Sequence, residues 1–367
     1  MQHTKNDLIQ MQSLPLSAKI LMTKRRIRDW YDYWNGEVFV SFSGGKDSMV
    51  LLHLAREVYS DIEAVFVNTG LEYPEIQKFV KTFDNVTILH PEMRFDEVIK
   101  KYGYPVISKE ISECVYQGRL ALKNNYKKYS YRLQKLMGTA KDKNGNLSIF
   151  NAEKYRPLLY TDFVCGSYCC NTMKKKPTKL YTKKTGKKPM IAQMACESRL
   201  RKQQWLANGC NGFQMKNPVS NPMSFWTEQD VLQYIKENNI PIASVYGDVV
   251  FAEEPDQMRI DFADGLPCGE LCTTGCNRTG CMFCAFGAHL EKGETRFQQL
   301  KRTHPKQYAY CIGGGAVTHA AMEMHKYERY IINDLDKDMP KIFLQAIRGN
   351  KSTVRFERLY VPITQTV

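Results

Sequence analysis

The sequence predicts an α/β protein built on a doubly wound, mostly parallel sheet. Three observations carry that expectation. Short apolar runs rich in valine and phenylalanine alternate with stretches of helical apolar spacing. A Gly-Gly corner sits between the first such run and the helix behind it. Thiols are unusually dense in one later segment, so a Cys-rich region is expected beside the α/β core.

Composition sets the outer limits. The chain has 367 residues, 43% hydrophobic and 25% charged, which is ordinary for a globular protein with ample core. No apolar run approaches a membrane span and residues 1–5 carry no apolar signal segment, so a cytoplasmic location without membrane contact is expected. The net charge is +14, from 52 Lys and Arg against 38 Asp and Glu. That balance suits an anionic small substrate, or a polyanion such as tRNA or DNA. Twelve cysteines in such a chain argue for metal, cluster or redox chemistry rather than a disulfide framework.

Residues 1–36 read as a basic N-terminal helical segment, capping the sheet. The nucleotide-binding α/β domain is expected over 37–250. It opens with a buried strand at 37–42, the corner Ser43, Gly44, Gly45, Lys46, Asp47, Ser48, and a helix over 49–58. Adjacent glycines let main-chain N–H groups close on a ligand, and the helix N-terminus behind them favours phosphate. Lys46 adds a cation, while Ser43 and Ser48 add hydroxyls. The spacing does not fit a Walker-type loop. The stretch resembles the PP-loop of the ATP-pyrophosphatase superfamily. That resemblance implies that the loop holds the pyrophosphate part of ATP, or the matching part of a sulfonucleotide.

A second strand at 62–67 ends in Asn68, Thr69, Gly70; a helix at 74–83 and a third strand at 86–90 follow. Ligands of such sheets bind at the carboxyl ends of strands, which places 43–48 and 68–70 on one rim. Residues 66–75 are similar to the corresponding segment of the phosphoadenosine phosphosulfate (PAPS) reductase family. Residues 118–160 read as a basic insertion in which lysines alternate with tyrosines. This mixture serves base stacking with phosphate contacts, and equally a solvated helical face, the reading favoured here. Asp142 to Asn146 signals a turn.

Adjacent Cys169 and Cys170, with Lys174 to Lys176 and Pro177 downstream, resemble the first half of the cluster motif in iron–sulfur adenosine phosphosulfate (APS) reductases. Residues 191–201 resemble the same family's strand ending in Glu-Ser-x-x-Arg, here Glu197, Ser198 and an arginine. Arg199 or Arg201 then faces a phosphate or sulfate. Gln193 and Met194 stand where the family has Gly-x-Arg, a departure within the anion site. Residues 226–235 match the family's next helix, with Thr227 as N-cap and Asp230 as its acidic partner.

The Cys-rich region spans 251–290. Cys281 and Cys284 in C-x2-C spacing, with Cys276 upstream and interspersed glycines, suit zinc or an iron–sulfur cluster. The resemblance implies a 4Fe-4S cluster on Cys169, Cys170, Cys281 and Cys284, with Cys276 able to replace one of the pair. A helical and strand extension is expected over 291–367, with a strand at 352–360.

The resemblance spans residues 38–287 and stops short at one point. Sulfonucleotide reductases carry a nucleophilic cysteine in a C-terminal Glu-Cys-Gly-Leu-His segment that this chain lacks; its last cysteine is Cys311. The leading expectation is therefore cleavage of ATP to AMP and pyrophosphate, activating an acceptor for sulfur transfer from a donor or redox protein. Lys46, Asp47 and Arg199 are the catalytic candidates, with Mg2+ beside Asp47. APS or PAPS reduction to sulfite is the alternative, and a non-catalytic nucleotide- and cluster-binding subunit is the third.

Overall fold

In this computed structural model, the residues described are 3–124, 130–160, 164–252, 269–291 and 295–312. They fall into two compact units: residues 1–90 with 177–279, and 91–176 with the chain from 280 onward.

The first unit contains the sheet. Its strands run in the spatial order Val86–Leu89, Ala64–Val67, Val38–Ser41, Lys188–Met190, Val219–Ser220, Asn211–Gly212. All neighbours are parallel except the last pair, which is antiparallel. The α/β, doubly wound reading of the sequence is thus met. Val38, Phe39 and Val40 are buried on both faces, which is why a central parallel strand reads as an unbroken apolar run. Winding proceeds outward from Val38–Ser41 to Val86–Leu89 on one side and through Lys188–Met190 on the other. The switch point therefore lies between Val38–Ser41 and Lys188–Met190.

The helix after the first strand runs Lys46–Val58 and begins three residues before the apolar periodicity does, with Gly45 as its N-cap. Its Val50, Leu51, Leu52, Leu54 and Ala55 are fully buried. The N-terminal segment forms two helices, Lys5–Gln12 and Leu16–Tyr33, because Pro15 cannot continue the first and initiates the second. The second is tied down by a buried ion pair, Lys19 Nζ to both Asp230 oxygens at 2.8 and 2.7 Å. Asp230 also completes the capping box with Thr227 on helix Glu228–Glu237, as the sequence implied.

The second unit packs helices Lys109–Lys123 and Tyr131–Met137 and the 3-10 stretch Glu153–Tyr160 together, with Leu133, Leu136 and Leu158 buried. A short parallel pair, Val106–Ile107 with Ala285–Phe286, joins its two chain segments. Asp142 Oδ1 accepts from the N–H groups of Asn144 and Asn146, making the expected turn. Within the basic insertion, Arg132 pairs with Glu113, and Lys135 pairs with Glu110 and lies over the rings of Tyr131 and Phe150. Among the described residues no helix is long and apolar enough to cross a membrane. The expected strand at 352–360 and Cys268 lie outside the described residues.

Candidate functional site

In the first unit, the corner 43–48 leaves the carboxyl end of the central strand, as expected. Gly44 has φ +71°, and a Cβ there would come within 2.7 Å of Ile76 and 2.8 Å of Val80. Only glycine fits this turn. Ser48 locks the corner: its hydroxyl donates to the Gly45 carbonyl at 2.8 Å and receives the Ser43 N–H at 3.1 Å.

Lys46 is 3% exposed. Its ammonium donates to Glu228 Oε1 and to the Asn277 carbonyl, each at 3.0 Å. Its main-chain N–H donates to the Tyr246 hydroxyl at 3.2 Å. Asp47 is partly buried, and Oδ1 is shielded from water with no hydrogen-bond donor. Burial pushes this carboxyl above its usual range; Lys46 pulls it back, and Glu228 adds to the rise. Oδ1 also lies 3.7 Å from Lys46 Nζ; a carboxylate oxygen without a hydrogen-bond donor is of the type that a hard divalent cation takes.

The neighbouring rim is built as the sequence implied. Asn68 Oδ1 accepts from Gly70 N–H, and Gly70 (φ +74°) faces open space. Buried Glu72 receives both the N–H and the hydroxyl of Thr69, fixing the turn.

On the other side of the switch point, the strand Lys188–Met190 ends before residue 191. Residues 191–194 are therefore loop rather than the strand that the sequence suggested. A short helical turn, Ala195–Glu197, then leads to Ser198, which N-caps helix Arg199–Asn208 by accepting from Arg201 N–H. Glu197 holds two guanidiniums, Arg201 and Arg278, the latter at 3.3 Å. Burial, then the nearby Arg278, lowers the pKa of Arg201. Arg199 is exposed at the helix start. Cys196 is exposed on the same turn, its thiol pushed up by burial of the sulfur and its charge influenced by Arg278, Glu228 and Asp47.

Sequence reasoning missed Glu228, Asn277, Arg278 and Thr279 as members of this site. Glu228 was read only as the start of a capped helix. The stretch 277–279 was read only for the thiols around it.

In the second unit, Cys169 and Cys170 open a helical stretch that widens to a π-turn over Asn171–Lys175 before Pro177, whose missing N–H breaks the regular ladder. Cys281 and Cys284 close a turn, with Cys284 N–H on the Cys281 carbonyl at 3.1 Å. The four thiols influence one another. The Cys169 thiol is raised by its hydrogen bond with Cys170, then by burial and by the charges of Cys170, Cys284 and Cys281. Cys170 is the more acidic of the pair, lowered by the Cys169 bond against the cost of burial, with Lys109, Lys174 and Lys175 assisting. Burial raises Cys284. Among the described residues no three His, Cys, Asp or Glu side chains are gathered to hold a single metal ion. Cys276 belongs to the first unit, buried, with its N–H on the Val245 carbonyl. Cys311 is also buried, and burial alone drives its thiol far up.

A family model described as the phosphoadenosine phosphosulfate reductase domain matches residues 37–141 and 120–286. An uncharacterized protein of Methanocaldococcus jannaschii is 37% identical over 100 residues, 26% of this chain and 24% of its own length. An adenosine 5'-phosphosulfate reductase of Bacillus cereus is 33% identical over 79 residues, 20% of this chain and 34% of its own. An adenosine 5'-phosphosulfate reductase 1 of Bacillus subtilis is 24% identical over 92 residues, 23% of this chain and 40% of its own. The chain thus spans less than half the length of these relatives.

Proposed function

Since the chain belongs to the phosphoadenosine phosphosulfate reductase domain family, we propose that it binds an adenine nucleotide at the rim formed by 43–48, 68–70 and 197–201. We propose further that it cleaves ATP to AMP and pyrophosphate, activating an acceptor for sulfur transfer. The observation that carries this reading is the loop itself: a glycine corner at the switch point, with a buried lysine and an under-satisfied Asp47 beside it. Lys46 and the loop N–H groups hold the departing pyrophosphate, and Arg201 and Arg199 face the remaining phosphate. Asp47 holds Mg2+, which when bound supplies positive charge to the leaving group. An oxygen of the acceptor displaces pyrophosphate to form an adenylate, and a sulfur donor then displaces AMP. The basic surface suits a nucleic-acid acceptor, tRNA or DNA.

The thiol set of the second unit fits a 4Fe-4S cluster on Cys169, Cys170, Cys281 and Cys284. Each thiolate of such a cluster binds a different iron, so the set need not gather on one ion as zinc would require. Lys109, Lys174 and Lys175 lie where they offset the negative charge of bound thiolates. When bound, the cluster carries or positions sulfur.

A second reading, reduction of APS or PAPS, is favoured by the names of the Bacillus relatives. It needs a nucleophilic thiolate, and the burial of Cys311 argues against that residue. Anaerobically purified protein with magnesium and reductant, given ATP, APS and PAPS in parallel, separates the readings. AMP and pyrophosphate from ATP are expected; sulfite from APS or PAPS, with ATP untouched, would establish the reductase instead. Nucleotide binding without turnover of any of the three would favour a non-catalytic subunit.

A further inference from the structure

The phosphate loop of the first unit is not open to ligand. The Lys46 N–H, a donor that a bound phosphate would use, is taken by the Tyr246 hydroxyl. That hydroxyl is itself hydrogen-bonded to Thr279. The Lys46 ammonium is spent on Glu228 and on the Asn277 carbonyl. A Cβ placed at Gly45 would lie 3.1 Å from the Tyr246 oxygen and 3.4 Å from that of Thr279. These hydroxyls therefore occupy the space against the loop that a phosphate oxygen needs.

The segment that supplies these contacts is fixed at one end. Gly275 N–H bonds the Tyr246 carbonyl at 2.8 Å and Cys276 N–H bonds the Val245 carbonyl at 2.9 Å. Thr273 donates its hydroxyl to the Cys276 carbonyl at 3.1 Å. At the other end, a Cβ on Gly280 would meet nothing within 4 Å. Between them Arg278 is 62% exposed, resting on a Glu197 carboxylate that Arg201 also uses. Two guanidiniums share one carboxylate, with Asp47 near both, so Arg278 can exchange Glu197 for a phosphate oxygen.

We propose that Tyr246 and Asn277–Thr279 form a strap that fills the phosphate loop until a pyrophosphate-bearing nucleotide displaces it, and that Arg278 then moves from Glu197 to the ligand's phosphates. The proposal rests on the nucleotide-binding reading above. Every donor stays satisfied through the exchange: Lys46 N–H trades Tyr246 for phosphate, and Lys46 Nζ trades a carboxylate and a carbonyl for phosphate oxygens. The strap thereby keeps an anion-binding loop from capturing stray phosphate, and it makes the affinity of the site depend on how firmly residues 277–279 are held.

The test is calorimetric titration of the full-length protein with inorganic pyrophosphate and magnesium, and with a non-hydrolysable ATP analogue. Tyr246→Phe and Thr279→Val each loosen the strap without touching a ligand-facing charge. Each is expected to bind about threefold to tenfold more tightly than wild type, the effect of one net hydrogen bond lost from the free state. Arg278→Ala is expected to bind about tenfold more weakly. Binding by wild type with no gain in either strap variant would overturn the strap and leave the nucleotide site standing. Binding by none of the proteins would overturn both.

Discussion

The glycine corner of the first unit and the thiol set of the second differ in how their charges are met. At the loop, the cations already have anions: Lys46 has Glu228, and Arg201 and Arg278 share Glu197. A ligand there must replace contacts the protein has made with itself. Around the thiols, lysines gather beside sulfurs pulled in opposite directions: the bond to Cys170 raises Cys169 and burial raises Cys284, while the bond to Cys169, with Lys109, Lys174 and Lys175, lowers Cys170. A metal or cluster bound there would favour the thiolate form of every sulfur it took. The difference teaches that a ligand proposed for the first site must compete with ion pairs already made, whereas for the second the question is occupancy.

The largest expected effect bears on occupancy. Cys281→Ser and Cys284→Ser, purified without oxygen, should each lose most of the bound iron and the brown colour, read by iron assay and visible absorbance. Full iron in either variant would remove that residue from the ligand set. Loss of a charge partner in the first unit ranks next. Asp230→Ala strands Lys19 in the core and should cost about 3–5 kcal/mol in urea unfolding. A cost under about 1 kcal/mol would mean that water reaches Lys19.

A glycine comparison sharpens the claim that the corner is packed as well as bent. Gly44→Ala meets both the left-handed backbone and the side chains of Ile76 and Val80, and should lose about 2–4 kcal/mol. Gly70→Ala meets only the backbone penalty, about 1–2 kcal/mol. Equal losses would deny the corner its tight packing against the helix Pro74–Val80.

The smallest effect concerns acid. Burial pushes the Glu63 carboxyl up, yet hydrogen bonds from Lys187, Thr87 and Tyr181 together hold it below its ordinary value of 4.5. A depressed folded-state pKa contributes stability that is full above 4.5 and fades as the pH falls through the lower, folded value. Glu63→Gln should therefore flatten the loss of melting temperature below that pH. An unchanged slope would assign it to another carboxylate.

The fold and the loop were legible in the sequence because both are local. Strand runs and a Gly-Gly corner declare themselves within a dozen residues, and Thr227 with Asp230 declares a capped helix. What lay hidden was long-range. The partners of Lys46 are 182 and 231 residues away, and no spacing rule links Lys46 to Glu228 or Asn277. The early start of helix Lys46–Val58 was hidden for another reason: its first turn carries Lys46, Asp47 and Ser48, none of them apolar, so periodicity cannot see it. Arg278 lies 81 residues from Glu197, and no spacing in the Cys-rich stretch declares that contact.

The central claim is that an adenine nucleotide binds at this loop through Lys46. Equilibrium titration of wild type and Lys46→Ala with ATP and magnesium tests it most directly, with circular dichroism confirming that both are folded. One nucleotide per chain is expected for wild type, with affinity at least about a hundredfold weaker in the variant, as befits loss of a buried charge-assisted contact. Equal affinity in the two proteins would contradict the account and move the nucleotide away from this loop.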